Sequence, residues 1–253
     1  MSNILFITEG PEDEKDFLEK MFDICYKYKK YEIYSYNTTI HTLVDILFDE
    51  DGNIDEDLDI KLTLRENEKD EEKRKILSQK YTEIFLIFDF EPQHNKLKFR
   101  EVKQLLNIFN DSTDKGKLYI NYPMMQSYKH INKMPDRDFK DRKVTLQEVY
   151  NYKDIVASKT SYQDLRKYNY PILISMMLHH LMKINYILNG TYEIPDKNTF
   201  YKFDFSKLYN IQLKLIKNER MVYVVNTCIL NIIEYNATRF LEQINNQKER
   251  FYI

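Results

Sequence analysis

Two short apolar runs constrain this chain most, because each of them ends in a carboxylate. The first is Ile4-Leu5-Phe6-Ile7-Thr8-Glu9-Gly10, followed directly by Pro11-Glu12-Asp13. The second, some eighty positions later, is Ile84-Phe85-Leu86-Ile87-Phe88-Asp89-Phe90-Glu91. Runs of this length and composition suit short buried strands. In open α/β sheets, ligands gather at the carboxyl ends of the strands. Two carboxylates brought to that edge would offer oxygen ligands to a hard divalent cation.

The sequence around these runs alternates strand and helix signals. After Gly10, Pro11 suits the start of a helix, and Glu12, Asp13 and Glu14 suit the positive end of its dipole. Phe17, Leu18, Met21, Phe22, Cys25 and Tyr28 then recur at helical spacing. A second strand is expected near residues 31–36 and a helix near 40–48. The acidic run 49–59 surrounds Gly52 without the EF-hand spacing, so a solvated loop is the expectation there. An exposed helix over 65–80 leads into the second apolar run. Beyond it come a helix over 101–110, a strand over 118–121 and a helix beginning within 124–131. This alternation predicts an α/β fold with a mostly parallel sheet flanked by helices.

From about residue 146 the pattern becomes helical, over 162–188, 205–217 and 221–246, with little strand signal. The segment 135–145 reads as the linker, giving domains 1–145 and 146–253. The apolar stripes of the second domain are explained by ordinary core packing. His179 and His180 are adjacent, so on a helix they point about 100° apart and make a poor metal pair. The edge of an amphipathic core is their expected place.

Charged residues make up 31% of the chain, yet the formal net charge is only −2. Global attraction to nucleic acid is therefore absent, and any such contact needs a local basic patch or a partner. Cys25 and Cys228 lie in apolar patterns without ligand spacing and read as buried thiols of a reducing compartment. No basic segment followed by an apolar core opens the chain, and the stretch 170–182 is too short to span a bilayer. A soluble cytoplasmic protein without a membrane partner is expected. There is no P-loop, no Gly-rich dinucleotide fingerprint and no G-x-S-x-G elbow.

Glu9-Gly10-x-x-Asp13 after one strand, with Asp89-x-Glu91 after a later one, resembles the Toprim domain over roughly residues 1–130. That metal-binding fold is shared by topoisomerases, bacterial primases and OLD-type and related nucleases. The resemblance implies Mg²⁺ or Mn²⁺ held by Glu9, Asp13, Asp89 and Glu91, and phosphodiester displacement at the metal. Glu9 would assist proton transfer or complete the metal site, and Asp13 would be an additional ligand. Glu91 stands where the family has a second aspartate. Alternate residues of a strand share a face, so Asp89 and Glu91 are expected to point the same way.

The segment Leu118 to Tyr128 also resembles the N-x-P-x-x-E-S type found in Toprim-like proteins of bacterial phage-defence systems. Gln126 stands at its glutamate position. Glutamine cannot act as a general base, so a third catalytic group would be impaired there. The other reading makes Gln126 a helix-start residue satisfying backbone groups. Lys129, His130, Lys133 and Arg137 begin the densest basic stretch, which could guide a nucleic-acid backbone. Asp136, Asp138 and Asp141 are interleaved with it, which favours a solvated mixed-charge linker instead.

Taken as a whole, the resemblance implies a metal-dependent nuclease cleaving DNA, tRNA or other RNA. It would serve as effector in an anti-phage or abortive-infection system under a separate ATPase sensor, with the helical region as a docking or homodimer surface. A catalytically inactive Toprim-like interaction module in a defence complex is the alternative. The chain is too short for a primase or topoisomerase apparatus.

Overall fold

The computed structural model describes residues 3–25, 30–55, 57–93, 97–234, 237–246, 251 and 253. It divides into two compact units. The first runs to Tyr119, apart from residues 23–25 and 90–93, which belong with Ile120–Ile253 in the second.

In the first unit, β1 (Asn3–Thr8), α1 (Asp13–Cys25), β2 (Lys30–Ser35), α2 (Ile40–Leu47), α3 (Ile60–Asn67) and α4 (Glu71–Ser78) precede β3 (Glu83–Asp89). Then follow α5 (Phe99–Ile108), β4 (Asn110–Asp111) and β5 (Gly116–Asn121), the last two residues of β5 counting with the second unit. The sheet order is β2-β1-β3-β5-β4. β1 is parallel to β2 and to β3, pairing Ile4 with Tyr31 on one side and with Glu83 on the other, whereas β4 and β5 are antiparallel. The expected α/β architecture is thus present, with a mostly parallel sheet flanked by helices.

The two apolar runs fill the middle of this sheet. Leu5, Phe6, Ile7, Leu86, Ile87 and Phe88 have no exposed surface, and the Phe6 and Phe85 rings stack at 5.4 Å. Phe17, Leu18, Met21 and Phe22 are the buried apolar positions of α1. Tyr28 lies outside the described residues.

The single helix expected over 65–80 is instead two helices. Glu68 accepts the N–H groups of Lys69 and Asp70, and Asp70 then caps a new helix by accepting from Glu72 and Lys73. Lys73 Nζ donates to the Ser35 carbonyl of β2 at 2.8 Å, and Tyr34 donates to Glu68 at 2.9 Å, which ties α4 to β2.

Gly116, at the start of β5, has φ +118°, and a Cβ there would stand 2.9 Å from Leu86 Cδ1. Both backbone strain and overlap oppose a side chain at this position. Gly116→Ala is expected to destabilise the protein by about 1–3 kcal/mol, read as a lower urea midpoint at unchanged slope.

The second unit contains β6 (Lys143–Thr145), α6 (Leu146–Val149), α7 (Tyr152–Lys159), α8 (Tyr170–Asn189), α9 (Lys197–Tyr201), α10 (Phe205–Glu219), β7 (Met221–Tyr223), α11 (Asn231–Glu234) and α12 (Ala237–Asn246). The α8 helix starts on Asn169, which accepts the Ile172 N–H, and it ends at Gly190 with φ +83°. Most of α8 is buried on all sides, which makes it the core helix of this unit.

Three sequence expectations are corrected here. The expected helix over 221–246 opens instead with β7, which pairs antiparallel with β6, Val144 opposite Val222. Residues 120–145 belong to the second unit, so the boundary falls near 120 rather than 145. The segment 135–145 is not a solvated linker, because Phe139, Val144 and Asp136 are all buried. Among the described residues, no helix is long and apolar enough to cross a membrane.

Candidate functional site

The parallel register decides what meets at the carboxyl edge of the sheet. Thr8 of β1 lies opposite Ile87 of β3, so Glu9 follows opposite Phe88, one position before Asp89. The Glu9 N–H donates to the Ile87 carbonyl at 3.1 Å. Its carboxylate Oε2 accepts the Asp89 N–H at 3.0 Å. A bond from a backbone amide to a carboxylate is charge-assisted and fixes the acid's orientation. Glu9 and Asp89, both half-buried, are therefore joined through the Asp89 backbone N–H.

The turn after β1 is shaped by its own polar groups. Thr8 is fully buried, and its Oγ1 donates to the Gly10 carbonyl at 2.9 Å. A Cβ on Gly10 would stand 2.9 Å from Glu14 Oε2. The Glu14 carboxylate thus covers the turn, and the residue is only 5% exposed. Asp13, by contrast, is exposed on the first turn of α1. Sequence reasoning picked Asp13 and missed Glu14, although a signal existed. Glu14 precedes Phe17 and Leu18 by three and four positions, which places it on the buried face of α1.

Glu91 does not share the face expected for it. β3 ends at Asp89, and Glu91 takes φ 42°, in the left-handed region. The alternation of a strand therefore stops before reaching it. Phe90 and Glu91 count with the second unit, where the Phe90 N–H donates to the carbonyls of Asn121 and Pro123 at 3.0 and 3.2 Å.

Gln126 is also in the second unit, 5% exposed, within a 3₁₀ turn over Met125–Lys129 that replaces the α-helix expected there. The basic stretch after it is not one surface. Lys133 and Arg137 are exposed and Lys129 is half-buried. His130, however, is 1% exposed, so it is a core residue and cannot touch nucleic acid. Its burial has a cause: the Arg142 guanidinium donates to the His130 carbonyl at 2.7 Å and to Asp136 at 2.8 Å, drawing the segment inward.

Among the described residues, no three or more His, Cys, Asp or Glu side chains are grouped to hold a metal ion. Glu9 and Asp89 nevertheless fit Mg²⁺ in kind and number. This ion is usually held by one or two carboxylates and completes its shell with water and phosphate oxygens. No family model, curated protein or solved structure matches the chain.

Proposed function

We propose that the chain is a divalent-metal-dependent nuclease of the Toprim type, centred on Glu9 and Asp89. One observation carries this reading: the Glu9 carboxylate is held by the Asp89 N–H at the carboxyl edge of two adjacent parallel strands. Such an edge is where open α/β sheets bind ligands, and it presents oxygen atoms suited to a hard cation. When bound, Mg²⁺ or Mn²⁺ supplies charge stabilisation for a phosphodiester displacement. Glu9 and Asp89 are the residues that would hold it; the Asp89 N–H keeps Glu9 from rotating, and Glu9 would either complete the metal site or take the proton of the attacking water.

The substrate in this reading is DNA, tRNA or other RNA. With a net charge of −2 the chain has no global attraction for any of them. Delivery therefore falls to a partner, which the family resemblance makes an ATPase sensor of a cytoplasmic anti-phage system. The second reading, a non-catalytic interaction module, is favoured by Gln126, which cannot serve as a base, and by the displacement of Glu91 from the strand.

Mn²⁺ titration followed by electron paramagnetic resonance separates these readings without a known substrate. The wild type is expected to bind saturably, and Asp89→Ala and Glu9→Gln to weaken binding at least about tenfold. Metal-dependent cleavage of plasmid DNA or tRNA should disappear in the same variants. Equal binding by all three proteins would overturn the site. Binding without cleavage, by wild type and by Gln126→Glu alike, would establish the module.

A further inference from the structure

The buried histidines of the second unit have no role in the proposed chemistry, yet their protonation is dictated by the backbone. His179 and His180 lie side by side on α8, 1% and 0% exposed. His180 Nδ1 receives the Asn226 backbone N–H at 3.0 Å. A backbone amide can only donate, so this nitrogen carries no proton. The proton is on Nε2, which donates to the Tyr128 carbonyl at 3.2 Å. His179 has the opposite arrangement. Its Nε2 accepts the Asp136 N–H at 3.1 Å, and its Nδ1–H donates to the Ser175 carbonyl at 2.7 Å. The two neighbours are thus neutral, in opposite tautomers, each with its one acceptor nitrogen occupied.

Asp136 and the Ser175 and Tyr128 carbonyls favour added positive charge on these rings, but burial outweighs them. Arg142 pairs with Asp136 through both guanidinium nitrogens, at 2.8 and 3.3 Å. Lys183, fully buried, donates to the carbonyls of Phe139 and Arg142 at 2.8 and 2.6 Å. His130 Nδ1 is 3.0 Å from the Tyr152 hydroxyl, and its buried Nε2 has no hydrogen-bond partner among the described residues. Lys159 also acts on His130, and Lys143 and Asp141 act on Lys183. Three basic side chains, Arg142, Lys159 and Lys183, therefore act on the three imidazoles, burial pushes the Lys183 pKa down, and the carboxylates among them are Asp136, already paired, and Asp141.

We propose that His179 and His180 form an acid-sensitive latch, which holds the Asp136 segment and the Asn226 backbone against α8 while both rings are neutral. A proton added to either acceptor nitrogen sets N–H against N–H, and the backbone it held must leave. His179 holds the start of the 3₁₀ turn Arg137–Asp141, and His180 holds Tyr128 in the turn that carries Gln126. Consistent with this, burial lowers the pKa of all three histidines, against the opposing pull of the Ser175 carbonyl and Asp136 at His179 and of the Tyr128 carbonyl at His180, and His130 and His180 are held down to about 3. The latch does not depend on the nuclease reading.

Amide exchange measured by NMR on the full chain, corrected for intrinsic rates, tests it. Between pH 7.5 and 5, protection at Asp136 and Asn226 is expected to fall at least about tenfold relative to the amides of β1 and β3. In His179→Gln/His180→Asn the side-chain carbonyls can take over the Nε2 and Nδ1 acceptor positions without titrating, so protection there should persist. Unchanged protection in the wild type, or equal loss in wild type and variant, would overturn the latch. Should the variant not fold, the imidazole ¹⁵N shifts of the wild type decide. Opposite tautomers at pH 7.5 that become protonated as the two amides open support it. A shared tautomer, or rings still neutral when the amides open, overturns it.

Discussion

Arg142→Ala is expected to destabilise the protein by about 3–5 kcal/mol, the cost typical of removing one partner from a buried ion pair. The side chains of Arg142 and Asp136 are 11% and 4% exposed, so water cannot replace the lost guanidinium. Burial raises the Asp136 pKa, but the hydrogen bonds from Arg142 and the Asn132 N–H outweigh it and hold the carboxyl below its usual range. Without Arg142 the carboxylate keeps the burial and loses most of the compensation, and the His130 carbonyl loses its donor as well. Arg142→Met/Asp136→Leu should cost less than Arg142→Ala alone, because no charge is then left buried. Urea unfolding at pH 7.5 checks both. A loss in Arg142→Ala below about 1 kcal/mol, the range of exposed pairs, would contradict the burial argument.

Acid is expected to have an effect of similar size. His130 and His180 titrate near pH 3 in the folded chain, against about 6.5 when unfolded. The unfolded state therefore takes up protons first as pH falls. The stability due to neutral rings is complete above about pH 6.5 and is lost below it, by about 1.4 kcal/mol per pH unit for each ring until the folded group titrates. At pH 5 the two rings together remove about 4 kcal/mol, and His179, whose pKa is also lowered, acts in the same direction. Domains of ordinary stability have only about 5–15 kcal/mol to lose. Urea midpoints at pH 7.5, 6 and 5, followed by tyrosine near-ultraviolet circular dichroism, should fall steeply between the last two values. A flat series would contradict the neutral burial of these rings.

Local patterns in the sequence were enough to find the sheet and the Glu9–Asp89 pair. Ile4–Ile7 and Ile84–Phe88 are apolar at every position, and parallel pairing carries their carboxylates to one edge. What escaped notice depended on partners distant in the chain. Asp136 and Arg142 sit in a stretch of mixed charge that looks solvated, and only their mutual bonds, with Lys183 on the neighbouring carbonyls, make it core. His179 and His180 looked like an amphipathic edge because their partners are backbone groups of Asp136, Tyr128 and Asn226. Met221–Tyr223 is too short to declare itself a strand without Lys143–Thr145 beside it. Glu14 differs from these, since its helical spacing from Phe17 and Leu18 already placed it inward.

The parallel pairing of β1 with β3 also orders events during synthesis. Ile4 meets Glu83 and Thr8 meets Ile87, so β1 must await a strand encoded far downstream. At ribosomal speed that interval is about 4–16 s. β2 can cover one side of β1 sooner, but the other side stays without a neighbouring strand until β3 emerges. During that interval a wholly apolar strand is open to wrong pairing or to a chaperone. Neither Ile87 nor Asp89 is there to hold Glu9 until translation has passed both. The acidic edge is accordingly completed only when Asp89 has been made, some eighty residues after Glu9.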